Sequence, residues 1–186
     1  MTGRGGTEST LELIREADLD AVLALNQQWV PHVGSLDVES LGSLLDEADL
    51  ALGAWSRAAE GHPGGEVPSR RVRGDLCGFV IVLAGGAQYP SPNYRYFAAR
   101  HDTFAYVDRV AVSPSARRRG VGRRLYDAAV THARSAGSPV LCAEVNLDPP
   151  NPDSQMFHAD YGFVEVGRQW TYGDTVEVQL LEIALS

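Results

Sequence analysis

A strand runs directly into an arginine-rich, glycine-punctuated turn and then a helix across residues 106–135, and this unit constrains the fold more than any other. Residues 103–112 alternate as a strand. Tyr106, Asp108, Val110 and Val112 fall on one face by period two, with Val107, Arg109 and Ala111 on the other. From Gly120 the spacing becomes helical, through Val121, Leu125, Ala128, Ala129 and His132. A helix N-terminus presents unpaired N–H groups and the positive end of the dipole. Gly120 and Gly122 let an anion approach the backbone closely. Arg117, Arg118 and Arg119 add donors suited to phosphate oxygens. The unit therefore reads as a phosphate site.

The charge distribution agrees. The chain has a net charge of −8 with 16 basic residues, yet five of those lie between Arg117 and Arg124. An acidic chain is a poor general binder of nucleic acid. A local basic cluster in it points to one specific anionic ligand. Two other phosphate motifs are excluded. A Walker-type loop needs Gly-Lys-Ser/Thr where this turn continues through Arg123 and Arg124. A dinucleotide fingerprint needs a third glycine where Leu125 stands.

The remaining elements are coarser. Residues 1–9 read as a flexible N-terminal tail with no secretory signal core, and residues 10–186 as one domain. Residues 10–15 form a short strand. Helices follow at 18–30, with Asp18 as its cap, and at 38–48. Residues 49–55 and 75–83 are strands around a Gly/Pro-rich hairpin loop at 57–74. Residues 85–102 are a second loop, unusual in carrying Tyr89, Tyr94, Tyr96 and Phe97. A strand at 139–147, a short helix at 154–161 and strands at 163–170 and 176–185 complete the order. This is an α/β (α+β) arrangement with a mixed, mainly antiparallel sheet of about seven strands and about four helices. Cys77 and Cys142 have no zinc-site or disulfide spacing and read as free thiols, with a cytoplasmic location as the default. No membrane span and no metal site is expected.

Residues 107–125, VDRVAVSPSARRRGVGRRL, resemble the central motif of the GCN5-related N-acetyltransferase (GNAT) superfamily, Arg/Gln-x-x-Gly-x-Gly/Ala, through Arg117, Gly120 and Gly122. Residues 151–163, NPDSQMFHADYGF, resemble the family's later Asn…Phe-Tyr-x-x-x-Gly-Phe motif. PHVG at 31–34, SPNY at 91–94 and EVNLDPPNP at 144–152 look like a bacterial subgroup of these acetyltransferases.

The resemblance implies acetyl-CoA held in a V between splayed strands ending at Val112 and spanning 140–147. The backbone of Val110, Ala111 and Val112 would bond the pantetheine arm. Residues Arg117, Arg118, Arg119, Gly120, Val121, Gly122 and Arg123 would hold the pyrophosphate. Asn146, Asn151, Ser154, Phe157 and His158 would line the far side. His158 stands where the family usually has a tyrosine acid, so it is either the acid or a structural residue. Tyr161 is a second candidate that fits packing better. Asp108, with Tyr106 beside it on the strand, is the candidate base or an ion-pair partner of Arg109 or His32. Glu144 is the alternative base. His32, Tyr94 and Tyr96 are candidates for the acceptor site, where aromatic faces and carboxylates would suit a cationic amine. The implied activity is acetyl transfer to a small-molecule amine. A protein or peptide acetyltransferase and a non-catalytic CoA-binding module stand as alternatives. The final strands make a homodimer a candidate assembly.

Overall fold

The computed structural model describes residues 9–57, 73–171 and 173–185. Seven strands form one sheet in the order β1-β2-β3-β4-β5-β7-β6. They are β1 (Ser9–Leu13), β2 (Leu50–Arg57), β3 (Arg73–Ala84), β4 (Ala105–Val112), β5 (Val140–Asp148), β6 (Val164–Thr171) and β7 (Val176–Ala184). Every pairing is antiparallel except β4 with β5. Of the tail predicted for residues 1–9, residues 1–8 lie outside the described residues. Ser9 is buried in β1, and its Oγ accepts a 2.6 Å hydrogen bond from Arg124. The loop predicted at 57–74 falls mostly outside the described residues.

Five α-helices cover the two faces among the described residues. On one face lie α1 (Leu19–Gln27), α2 (Val38–Glu47) and α3 (Pro92–Ala98); on the other lie α4 (Val121–Ser135) and α5 (Pro152–Tyr161). The helix α4 buries Val121, Leu125, Tyr126, Ala129, Val130 and Ala133, a stripe with steps of one, three and four. Asp37 caps α2 by accepting from Ser40 N at 2.7 Å. Asp18 behaves differently from its expected capping role. Its carboxylate accepts from Arg15 N, closing the turn before α1. No helix among the described residues is long and apolar enough to cross a membrane.

The fifth helix, α3, was read from sequence as loop. Ser91 Oγ accepts from the N–H groups of Asn93 and Tyr94, and Pro92 occupies the first turn, where its missing N–H costs nothing. Seven residues are too few to show a period. Packing holds the helix: Tyr94 and Phe97 are buried against the sheet, each burial stabilising by about 2–3 kcal/mol.

Candidate active site

Two irregularities of β4 shape the site. The first is where its pairing stops. β4 and β5 are in register only from Ala105–Val107 against Leu141–Ala143, although both strands continue beyond. From there the strands diverge, so the facing backbone edges of Val110–Val112 and of the end of β5 have no strand partner. A polar slot of this kind accepts an extended chain that brings its own amides.

The second is a bulge. Val82 pairs with Val107 and Ile81 with Arg109, which leaves Asp108 as the extra residue. This overturns the clean alternation read from sequence. Val110 and Val112 pack on the α4 face together with Ala105 and Val107, while Tyr106 and Ala111 face α1 and α3. Asp108 and Arg109 turn to the same side, and Arg109 Nε lies 3.3 Å from Asp108 Oδ2. Their side chains are 5% and 12% exposed, respectively. The contact is electrostatic, because neither of those two atoms has an aligned hydrogen bond. The other end of Arg109 donates to Asn26 Oδ1 at 3.0 Å and Gly34 O at 2.6 Å. That pins the α1–α2 loop over the bulge.

Across the opening, Glu144 of β5 accepts a 2.7 Å hydrogen bond from the Tyr106 hydroxyl. Burial, and then the charge of Asp108, push the Glu144 carboxyl up to about 8. Burial also raises Asp108, opposed by Arg109 and by the Tyr89 hydroxyl beside it. Tyr106 and Tyr89 are raised too, chiefly by burial. The Asn93 side chain also reaches Glu144. Two carboxyls with few charges to balance them thus share one buried patch, walled by Tyr89, Asn93 and Tyr106. Such a patch favours a proton or a cation.

The other wall of the slot suits an anion. Arg118 and Gly120 both take left-handed backbone, with φ of 58° and 77°, and Gly120 caps α4. A Cβ at Gly120 would meet nothing within 4 Å. One at Gly122 would sit 3.6 Å from Phe157 and 3.7 Å from Val112. The helix start is therefore open at Gly120, while at Gly122 it faces Val112 and Phe157 at contact distance. Unpaired N–H groups at its head and Arg117 to Arg119 around it are the donor set a pyrophosphate needs.

Residues 36–163 match the acetyltransferase (GNAT) family. The chain belongs to that family. No curated protein matches it in sequence. Its fold is similar to that of Ard1 from Thermoplasma volcanium, with a TM-score of 0.72, 18% identity, and coverage of 96% of this chain and 99% of that one. It is also similar to the ribosomal-protein-alanine N-acetyltransferase from Brucella melitensis, with a TM-score of 0.64, 21% identity, and coverage of 95% and 99%. A third is yncA, a putative acetyltransferase from Salmonella typhimurium with its cofactor acetyl-CoA, with a TM-score of 0.61, 18% identity, and coverage of 96% and 94%.

Against the GNAT pattern, the expected site residues separate. Tyr106, Asp108 and Glu144 come together as described. Asn151 caps α5 by accepting from Ser154 N, and the Phe157 ring stands against Gly122 at the start of α4. Asn146 accepts from Gln155 through its carbonyl and reaches Pro31 O at 3.5 Å. Arg123 lies over the Tyr161 ring, 5.3 Å from its centroid.

His158 is in the interior, not at the slot. It is 2% exposed, its Nε2 lies 2.6 Å from the Tyr126 hydroxyl, and its Nδ1 lies 2.7 Å from Ser154 O. A carbonyl can only accept, so Nδ1 carries the proton and Nε2 accepts from Tyr126. Burial lowers the basicity of this imidazole. Both ring nitrogens are thus engaged inside the fold. Tyr161 donates to Asp127 Oδ1 at 2.8 Å, away from the slot.

Tyr94 and Tyr96 are also clamps. The Tyr94 hydroxyl donates to Ala84 O and accepts from Ala87 N, and the Tyr96 hydroxyl donates to Val166 O. His32 is exposed in the α1–α2 loop.

The ion-pair alternative for Asp108 with Arg109 is the arrangement found, and the residues missed by sequence reasoning are Asn93 and Asn26, with Tyr89 noted only as one of several loop aromatics. Asn93 and Phe97, four apart behind Ser-Pro, were the one available sign of a helix face. His101, Cys142 and Glu182 bring three donor atoms within 4.8 Å. His101 and Glu182 already bond each other at 2.7 Å, and the group lies outside the slot.

Proposed function

We propose that this protein transfers an acetyl group from acetyl-CoA to the amine of a small cationic molecule. The observation that carries the reading is the pair of buried carboxyls, Asp108 and Glu144, facing a slot whose other wall is an anion cradle. The thioester supplies the acetyl group when bound. Residues Arg117–Gly122 take its pyrophosphate, and the free edge of Val110–Val112 takes its amides. Glu144 accepts the proton that the amine must lose, since a carboxyl near 8 is matched to that task at neutral pH. Asp108, anchored by Arg109, attracts the ammonium form into the site.

The small acceptor follows from what covers the patch. The α1–α2 loop is tied to β4 through Arg109 and lies against β5 through Asn146. On the other side α3 is fastened to β6 by Tyr96–Val166 and by Gln169–Asn93 at 2.6 Å. A polypeptide would have to pass between these two fastened covers.

Thiol release from acetyl-CoA with a panel of small amines and of short peptides tests the reading. Turnover with cationic small amines, rising through pH 8, is the expected result. Preference for peptides would reverse the acceptor assignment. CoA binding with no thiol release on any amine would make the protein a binding module.

A further inference from the structure

Arg117 crosses the mouth of the slot. Its guanidinium carbon lies 4.1 Å from the centroid of the Trp29 ring, just past the end of α1. Its Nη1 lies 3.0 Å from Asp153 Oδ2, in the first turn of α5. Trp29 packs with the core on the α1 face, whereas α5 packs with the core on the α4 face. One side chain therefore joins the two faces of the sheet at the end where β4 and β5 stand apart.

Its two partners are unlike. Asp153 is 68% exposed and Arg117 43%, so the ion pair is screened by water and weakly held. Trp29 is half-buried, and its indole N–H is buried without a hydrogen-bond partner. The ring is thus held by packing and by the cation on its face. Two arginines of the following helix are engaged elsewhere: Arg123 over Tyr161 and Arg124 on Ser9. A diphosphate is a stronger partner for a guanidinium than one exposed carboxylate, because it offers paired oxygens and more charge.

We infer that Trp29 and Asp153 are positioning residues acting through Arg117. Trp29 holds the guanidinium plane over the cradle, and Asp153 is a stand-in anion that the donor's pyrophosphate displaces. The inference rests on the acyl-CoA reading of the cradle. It adds two residues, one from an unrelated loop, to the donor site. It also gives Asp153 a sign opposite to that of a binding residue, since its charge competes with the ligand.

Calorimetric titration of the full chain with CoA tests this. Asp153→Asn tightens CoA binding by about two- to fivefold, the worth of one exposed pair. Trp29→Ala weakens it by about five- to tenfold, and Trp29→Phe restores most of the loss. In an Arg117→Gln background the Asp153→Asn gain disappears. If that gain persists without Arg117, Asp153 acts only through the general field and the inference fails. Wild-type binding in Trp29→Ala would also overturn it. Should Trp29→Ala not fold, the Asp153 and Arg117 variants decide alone. Absence of any CoA binding by the wild type would remove the acyl-CoA reading itself, a separate result from failure of the exchange.

Discussion

The Tyr106 hydroxyl donates a 2.7 Å hydrogen bond to Glu144 Oε2 just beyond the point where β4 and β5 cease to pair. The bond favours the charged carboxylate, against burial and the charge of Asp108, which favour the proton. The group is left near 8 by this balance, so small changes at Tyr106 shift it. In Tyr106→Phe the pH–rate profile moves upward, with turnover at pH 7 reduced by about five- to tenfold as less Glu144 is ionised. Stability falls by about 1–2 kcal/mol from the unsatisfied carboxyl. An unmoved profile in this variant takes Glu144 out of the proton path.

Glu144 also makes stability depend on pH. Its folded value, about 8, lies above the reference of 4.5, so the folded state binds more protons between those values. Stability therefore falls as pH rises from 4.5 to 8, and Asp108, also raised, adds in the same direction. Glu144→Gln removes the Glu144 part. Its melting temperature gains on the wild type as pH rises from 5 to 8.5, while turnover drops by about a hundredfold or more. A gap in melting temperature that does not grow with pH contradicts the buried-carboxyl account.

His158→Ala tests the structural assignment of the histidine. The substitution leaves a cavity and strips the Tyr126 hydroxyl and Ser154 O of their partner. A loss of about 2–4 kcal/mol is expected by denaturant unfolding. Turnover per folded molecule, measured well below the melting temperature, stays within about threefold. Intact stability with collapsed turnover would restore His158 as an acid.

The two motif glycines separate folding from binding. Gly120 has φ of 77°, so Gly120→Ala strains the cap of α4 and costs about 1 kcal/mol. Gly122→Ala places its methyl at ordinary contact distance from Phe157 and Val112, so the melting temperature holds. The family motif admits alanine at this position, so CoA affinity in Gly122→Ala stays within about threefold of wild type, readable by titration, whereas Gly122→Glu sets a carboxylate against the diphosphate and lowers affinity by more than about tenfold. Equal affinity in Gly122→Glu and wild type would place the ligand elsewhere.

Much of the donor side was legible in the chain because its determinants are local. Arg117, Gly120 and Gly122 need only the strand before them and the helix after them to make an anion cradle. The order of strands was legible for a similar reason, since seven apolar runs each announce themselves within a few residues. The acceptor side was not, because its residues meet across long separations. Tyr106 and Glu144 are neighbours only through the parallel register of β4 and β5, and Asn93 reaches them from a helix too short to signal its period.

The amino-acid order by itself pointed to the GNAT family through the resemblance of its motif residues, and to a strand–turn–helix whose helix start can hold an anion, because those features are set by residues close in sequence. Only the tertiary structure decided the faces. A single extra residue at Asp108, set by its pairing with β3, moved Val110 and Val112 to the opposite side from Tyr106 and put Asp108 beside Arg109. Burial then separated the candidates. His158, Tyr94 and Tyr96 are polar groups whose partners lie in the core and on neighbouring strands, so their polar atoms are engaged within the fold. Glu144 is buried beside a second carboxyl, which holds its proton to higher pH and is the reason it is proposed as the base.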